Sequence, residues 1–192
     1  MASSYPTRKN PRLPEYDYSQ PGYYFVTVCT AVRHKDVLCS VTNVGGGLRA
    51  APRVTLAAIG QTVAGSIAKI PILNPGAEVD CSVIMPDHIH LLIYMTGRHG
   101  GRPLPDIIGR LKSYTDHNYR SQFPSFSSKL WQRGYYEHMI RNDADLTQTR
   151  RYIQNNPLNW TLKQGGWAAE GGGPYDTNGK EENPRGGGEK SE

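Results

Sequence analysis

Hydrophobic and polar residues along this chain follow two periods, one typical of strands and one typical of helices. Runs rich in β-branched and aromatic residues predict four strands, at 23–32, 77–85, 88–95 and 135–140. Apolar residues at helical spacing predict two helices, at 55–70 and 103–119. The resulting order β-α-β-β-α-β is that of a ferredoxin-like split βαβ sheet, an α+β fold. One sheet face should then carry both helices and leave the other face open.

A further helix is predicted near the C-terminal end of the domain. Asn142 or Asp143 can cap it, acidic residues fill its first turn, and Pro157 should stop it. Leu146 and Ile153 are seven residues apart, on one stripe of such a helix. We expect this extra helix to cover the open face of the sheet.

Composition divides the chain into three parts. Residues 1–22 are rich in Pro, Arg, Lys and Tyr and should form an extended basic arm, followed by a single domain over residues 23–164. Residues 165–192 are rich in Gly and net acidic, which predicts a disordered tail. Within the domain, the Gly-rich stretch 41–53 reads as a loop, and it lacks the lysine that a phosphate-binding P-loop requires.

Two histidines lie within the third predicted strand. His88 and His90 are two residues apart, so both side chains emerge on one sheet face while Ile89 and Leu91 face the other. Such a pair is half of a metal site on a rigid support, although a histidine pair by itself is also common on ordinary surfaces.

The extra helix carries a second pair of interest. Tyr152 and Asn156 are four residues apart and therefore project from neighbouring turns of one helix face. A phenol has a pKa near 10, so it becomes a useful nucleophile only beside a base or a metal-held phosphate. The histidine pair could hold that metal.

These residues, in this order, resemble the single-tyrosine HUH transposases, and most closely their REP-associated tyrosine transposase branch (RAYTs). The resemblance covers about residues 8–162. The matching motifs lie at 12–18, 24–30, 83–90, 101–104, 111–113, 131–138, 140–142 and 152–157.

The resemblance implies a DNA transposase that cleaves and rejoins single-stranded or hairpin DNA at palindromic repeats. Tyr152 would attack the phosphate and form a 5′-phosphotyrosine, with a divalent metal held by His88, His90 and Asn156. Mixed nitrogen and oxygen ligands permit Mg²⁺ or Mn²⁺. Many related nucleases use histidine or glutamine as the last ligand, and Asn156 is shorter and precedes a proline.

Other residues are candidates for supporting the site or for contacting DNA. His138, on the fourth predicted strand, is a candidate to support the site, whereas Glu137 should face away from it. By resemblance, DNA contacts are expected from two groups of residues. They are Arg8, Lys9 and Arg12 on the arm, with Lys112 and Ser113 on the second helix.

Charge and cysteine content agree with a nucleic-acid partner inside the cell. The net charge is +5, and the basic excess lies in the domain rather than in the tail. Three cysteines with no CxxC spacing argue against a disulfide framework, and no apolar run is long enough for a membrane span. We expect a cytoplasmic monomer or homodimer.

Three other functions fit parts of this pattern. A ferredoxin-like sheet with exposed aromatics can bind single-stranded nucleic acid as a catalytically inactive, RRM-like module, but the aromatic signature of that module is missing. A zinc hydrolase would need a third His or Cys at ligand spacing. A related replication initiator or relaxase would carry additional domains or a second tyrosine motif.

Overall fold

The computed structural model describes residues 21–31, 36–44, 51–97, 103–125 and 128–164. The expected arm and tail therefore lie outside the described residues, apart from the last residues of the arm. The described part contains six strands and four helices. In chain order they are β1 Gly22–Cys29, β2 Cys39–Val44, β3 Ala51–Leu56, α1 Ala58–Ala68, α2 Ile70–Leu73, β4 Ala77–Ile84, β5 His88–Met95, α3 Leu104–Gln122, β6 Tyr136–Met139 and α4 Asp143–Gln164.

The main sheet has the strand order β4-β5-β1-β6, with every neighbouring pair antiparallel. This is the predicted ferredoxin-like arrangement, which is confirmed. Alternate residues of β1 and β5 face α1 and α3, and together they form the larger apolar core. Its fully buried members include Tyr24, Val26, Ile89, Leu91 and Ile107.

The opposite face of the sheet is covered by α4. Phe25 of β1, Leu92 of β5 and Ile153 of α4 form a second, smaller apolar cluster there, with Leu146 and Tyr152 packed against it. The helix stripe predicted from Leu146 and Ile153 is therefore the contact surface of α4 with the sheet. Because this cluster is small, it leaves the neighbouring part of the same sheet face to polar side chains.

The prediction of a loop at 41–53 was wrong in part. Residues 39–44 and 51–56 pair as the antiparallel hairpin β2-β3, and Thr55 belongs to β3 instead of starting a helix. Val41, Val54 and Leu56 pack against the larger core, which explains the pairing. The glycines dominate the composition of this stretch, whereas the apolar residues on either side of them decide its structure.

The prediction that Pro157 ends the last helix was also wrong. α4 continues to Gln164 and contains Pro157, although a proline inside a helix lacks the N–H that would bond the carbonyl of Ile153. The helix also contacts β2 and β3, so packing offsets a cost of about 3 kcal/mol. The extra turns matter because they carry residues beyond Asn156 along the same helix face.

The start of α4 follows its sequence signal. The Asp145 backbone N–H donates to Asn142 Oδ1 over 2.9 Å, which makes Asn142 the N-cap. Asp143 and Asp145 lie in the first turn, where the positive end of the helix dipole stabilises carboxylates. Within the described ranges, no helix is long and apolar enough to cross a membrane.

Candidate functional site

His88 and His90 lie side by side on the sheet face that α4 covers. Their ring centroids are 4.5 Å apart, and the next residue on this face of β5 is Leu92 of the smaller cluster. Alternation along β5 places Ile89 and Leu91 in the core on the other side, as their spacing predicts. The two imidazoles therefore border the apolar contact between α4 and the sheet.

His90 is held in a neutral form with one nitrogen unused. Its Nδ1 and the Thr27 Oγ1 are joined by a 2.8 Å hydrogen bond across the β1–β5 pair. Burial, with a smaller contribution from His88, lowers the pKa of His90 to about 3. The Nε2 atom is buried and has no hydrogen-bond partner among the described residues. With its proton on Nδ1, toward Thr27, such a buried, uncharged imidazole can offer Nε2 to a metal ion.

His88 is oriented by its neighbour Asp87. The His88 Nδ1–H donates to Asp87 Oδ1 over 2.7 Å, and this bond lowers the pKa of the Asp87 carboxyl below its usual value. Since the carboxylate can only accept, the proton must be on Nδ1, which leaves Nε2 as the second available nitrogen. A carboxylate bound to the far nitrogen of a histidine is a common support of metal ligands.

One face of α4 lies over this pair. The Tyr152 ring centroid is 5.2 Å from that of His90, and two turns further on the Trp160 ring is 6.3 Å from His88. Asn156 is midway between them on the helix and is only 7% exposed. The amide side chain is thus on the stretch of helix that faces both histidines.

The nitrogen and amide donors are of the kinds that can bind a divalent cation. The two imidazoles offer two Nε2 atoms, one of them buried without a partner, and the buried Asn156 amide lies on α4 between Tyr152 and Trp160, whose rings are near those of the histidines. No group of three or more His, Cys, Asp and Glu side chains suited to a metal occurs in the described part of the chain.

His138 lies on the same sheet face but has another partner. It pairs with Phe25 across β1–β6, and its Nε2 is 3.0 Å from Asp145 Oδ2 in the first turn of α4. Asp145 Oδ2 also accepts the Arg141 backbone N–H. His138 thus anchors the beginning of α4, while Glu137 faces the opposite side, as expected.

The expected DNA contacts are spread over different places. Arg8, Lys9 and Arg12 lie outside the described residues. Lys112 and Ser113 line a shallow cleft of about 420 Å³ on α3. The Lys112 ammonium donates to the backbone carbonyls of residues 132, 133 and 134 over 2.8–3.1 Å, so it holds this loop in place.

The sequence patterns do not predict several residues at or near the site. Thr27 reaches His90 only through strand pairing, and Trp160 faces His88 only because the helix passes Pro157. Arg150 binds Asp80 of β4 across 70 positions of sequence. Asp87 carries a sequence signal, because an acid directly before a strand histidine can orient that histidine.

Comparison with known proteins identifies the family of this chain. The family model described as Transposase IS200 like matches residues 62–156, a segment that contains His88, His90, Tyr152 and Asn156. An uncharacterized protein of Haemophilus influenzae is 30% identical over 177 residues, which cover 82% of this chain and 92% of that protein. This chain belongs to the IS200-like transposase family.

Named relatives of this transposase point to the branch predicted from the motifs. A second protein of Haemophilus influenzae, named "Putative REP-associated tyrosine transposase", is 28% identical over 150 residues, 74% of this chain and 73% of its own length. A solved REP-associated tyrosine transposase bound to a REP hairpin superposes with a TM-score of 0.52 at 22% identity. That match covers 76% of this chain and 69% of the other and shows a shared fold. The predicted family is confirmed.

Proposed function

We propose that this transposase cleaves and rejoins single-stranded or hairpin DNA with Tyr152 as its nucleophile. The observation that carries the proposal is the position of the Tyr152 ring, 5.2 Å from that of the buried and neutral His90. The Phe25 ring lies 6.0 Å from the Tyr152 ring at 86°, an edge contact that fixes the direction of the phenol.

The reaction needs no external energy source. The Tyr152 hydroxyl oxygen forms a bond to phosphorus while the bond from phosphorus to the 3′ oxygen breaks. In the balanced reaction, the phenol loses one proton and the departing 3′ oxygen gains one. Because the product is a 5′-phosphotyrosine ester, a free 3′-OH can attack it and restore a DNA linkage.

His88, His90 and Asn156 would hold the divalent metal, Mg²⁺ or Mn²⁺. When bound, such an ion polarises a phosphoryl oxygen of the scissile linkage. Asp87 fixes the direction of His88, and Thr27 fixes that of His90. His138 supports the site indirectly by anchoring the first turn of α4.

DNA is the proposed partner. The chain carries a net charge of +5, and a relative of the same fold was solved with a REP hairpin. Tyr152, His88 and His90 come together within one chain, so a monomer would carry these groups without a partner subunit. Arg8, Lys9, Arg12, Lys112 and Ser113 remain proposed DNA contacts.

The decisive experiment is to trap the covalent intermediate. The protein is incubated with a short DNA hairpin that carries a single-stranded flank, in Mn²⁺ buffer, and resolved under denaturing conditions. The unmodified protein should form a DNA adduct, and Tyr152→Phe should bind the hairpin without forming it. Tyr136→Phe is the control, because Tyr136 is an exposed tyrosine of the same sheet face.

An adduct that persists in Tyr152→Phe, or that maps to Tyr135 or Tyr136, would refute the assignment. Hairpin binding without any adduct in the unmodified protein would instead support the inactive, RRM-like binding module.

A further inference from the structure

Trp160 occupies a place at the site that no motif predicts. It follows Asn156 by four residues and Tyr152 by eight, so the three side chains share one face of α4. Its ring centroid is 6.3 Å from that of His88 with the ring planes tilted by 50°. At that distance and tilt the two rings do not stack, and Trp160 is partly exposed, so part of its ring surface is open to solvent.

The surroundings of Trp160 differ from those of a structural tryptophan. Trp131 shows the structural case, because it is 3% exposed and its indole N–H donates to Thr115 Oγ1 over 2.7 Å. Trp160 is partly exposed and is not a member of either apolar cluster of the described residues. It also has no hydrogen-bond partner among those residues.

We propose that the exposed part of the Trp160 ring is a stacking subsite for an unpaired nucleobase beside the scissile phosphate. This inference rests on the proposed function of Tyr152. Eight residues of helix place Trp160 about 12 Å along the axis from Tyr152, a span that neighbouring nucleotides of an extended strand can bridge. A base stacks on an aromatic side chain whatever its identity, so the subsite selects unpaired over paired DNA rather than a sequence.

The charge around Trp160 agrees with this ligand. Lys163 is one turn further along α4 and is exposed, so it can approach a backbone phosphate next to the stacked base. An aromatic ring beside a cation is the usual composition of a single-strand binding surface. His88, whose ring lies 6.3 Å from the Trp160 ring, connects the subsite to the proposed metal ligands.

Tryptophan fluorescence can report this contact directly. The chain has three tryptophans, so the experiment uses a Trp167→Phe background in which only Trp131 and Trp160 remain. The probe is a short oligothymidylate, compared with the same strand made with abasic sites. Oligothymidylate should quench the emission and bind about tenfold more tightly than the abasic strand, a difference of about 1.4 kcal/mol.

Substitutions separate stacking from stability. Trp160→Ala should weaken oligothymidylate binding about tenfold and leave abasic binding unchanged, while Trp160→Phe should keep most of the affinity and lose the quenching. Leu158→Ala is the matched control, because Leu158 is a 40% exposed apolar residue on the other side of the same helix turn. It should change neither signal.

The inference would be overturned by equal binding of both probes to the unmodified protein, or by quenching that survives in Trp160→Phe. Failure of the proposed function looks different. In that case oligothymidylate still quenches Trp160, but hairpin DNA forms no adduct with Tyr152. Adduct formation without any Trp160 quenching would reject the stacking subsite alone.

Discussion

Arg150 of α4 forms two hydrogen bonds with Asp80, the residue at the irregularity of β4. Arg150 Nε lies 3.0 Å from Asp80 Oδ1, and Nη2 lies 2.5 Å from Oδ2. The strand register shifts between Val79 and Cys81, which sets Asp80 apart from the regular pairing with β5. Since Arg150 precedes Tyr152 by two residues, this ion pair connects the edge of the sheet to the helix segment that carries the proposed nucleophile.

Removing this ion pair should reduce adduct formation by a larger factor than its small effect on the free energy of unfolding suggests. The Arg150 side chain is 40% exposed, so solvent screening limits its contribution, and Arg150→Ala should cost about 1 kcal/mol of unfolding free energy or less. Adduct formation by Tyr152 should fall by a larger factor, because the helix is then less well positioned. Urea unfolding and adduct yield measure the two effects. Arg151→Ala, at the exposed neighbouring position, should change neither.

The same pair predicts a pH dependence of stability. The hydrogen bond from Arg150 holds the pKa of Asp80 below its ordinary value. The unfolded carboxyl has a pKa of about 3.9, so the stabilising contribution is complete above that pH and is lost as the pH falls through the lower, folded pKa. Below about pH 4, Asp80→Asn should therefore lose less unfolding free energy than the unmodified protein. Parallel stability profiles of the two proteins would contradict this.

His88 and His90 should both be needed for metal binding. His88→Ala or His90→Ala should remove Mn²⁺ binding seen by calorimetry and reduce DNA cleavage by several orders of magnitude. A change at Asn156 should be milder, because water can replace one oxygen ligand. His117→Ala is the control, since His117 is exposed on α3 at the other side of the sheet. Cleavage that continues unchanged in EDTA would exclude the metal site.

Asp87 should tune the site without binding the metal. Asp87→Asn removes the carboxylate that orients His88, and losses of this kind typically weaken metal affinity by about 10- to 100-fold. Mn²⁺ titration of the unmodified and variant proteins measures the change. Asp106→Asn removes the same charge from an exposed position in the first turn of α3 and should leave the affinity unaltered. Equal losses in both variants would indicate a general charge effect.

Lys112 should act mainly through the loop that it holds. Lys112→Met removes an ammonium bound by three backbone carbonyls and should cost about 1–2 kcal/mol of unfolding free energy. Lys129→Met removes a charge from the same cleft and should leave stability unchanged. If Lys112 served only as a charge for DNA, both variants would weaken hairpin binding equally and neither would change the urea midpoint.

Local sequence patterns are sufficient for the four strands of the main sheet, its two crossover helices and the capped start of α4. Alternation along 88–95 decides that His88 and His90 share a face, and the four-residue spacing decides that Tyr152 and Asn156 do. These relations need only the geometry of a single strand or helix. They also carry the motifs on which the family prediction rests.

Only the tertiary structure decides the remaining features of the fold and the site. Their residues are far apart in sequence, or they adopt a conformation that packing stabilises although the local sequence disfavours it. The β2-β3 hairpin forms in a Gly-rich part of the sequence because Val41, Val54 and Leu56 pack against the larger core. α4 passes Pro157 because it packs on the sheet and the hairpin, and this brings Trp160 to His88. The partnership of Thr27 with His90 depends on the register of two strands 63 positions apart, which no local pattern contains.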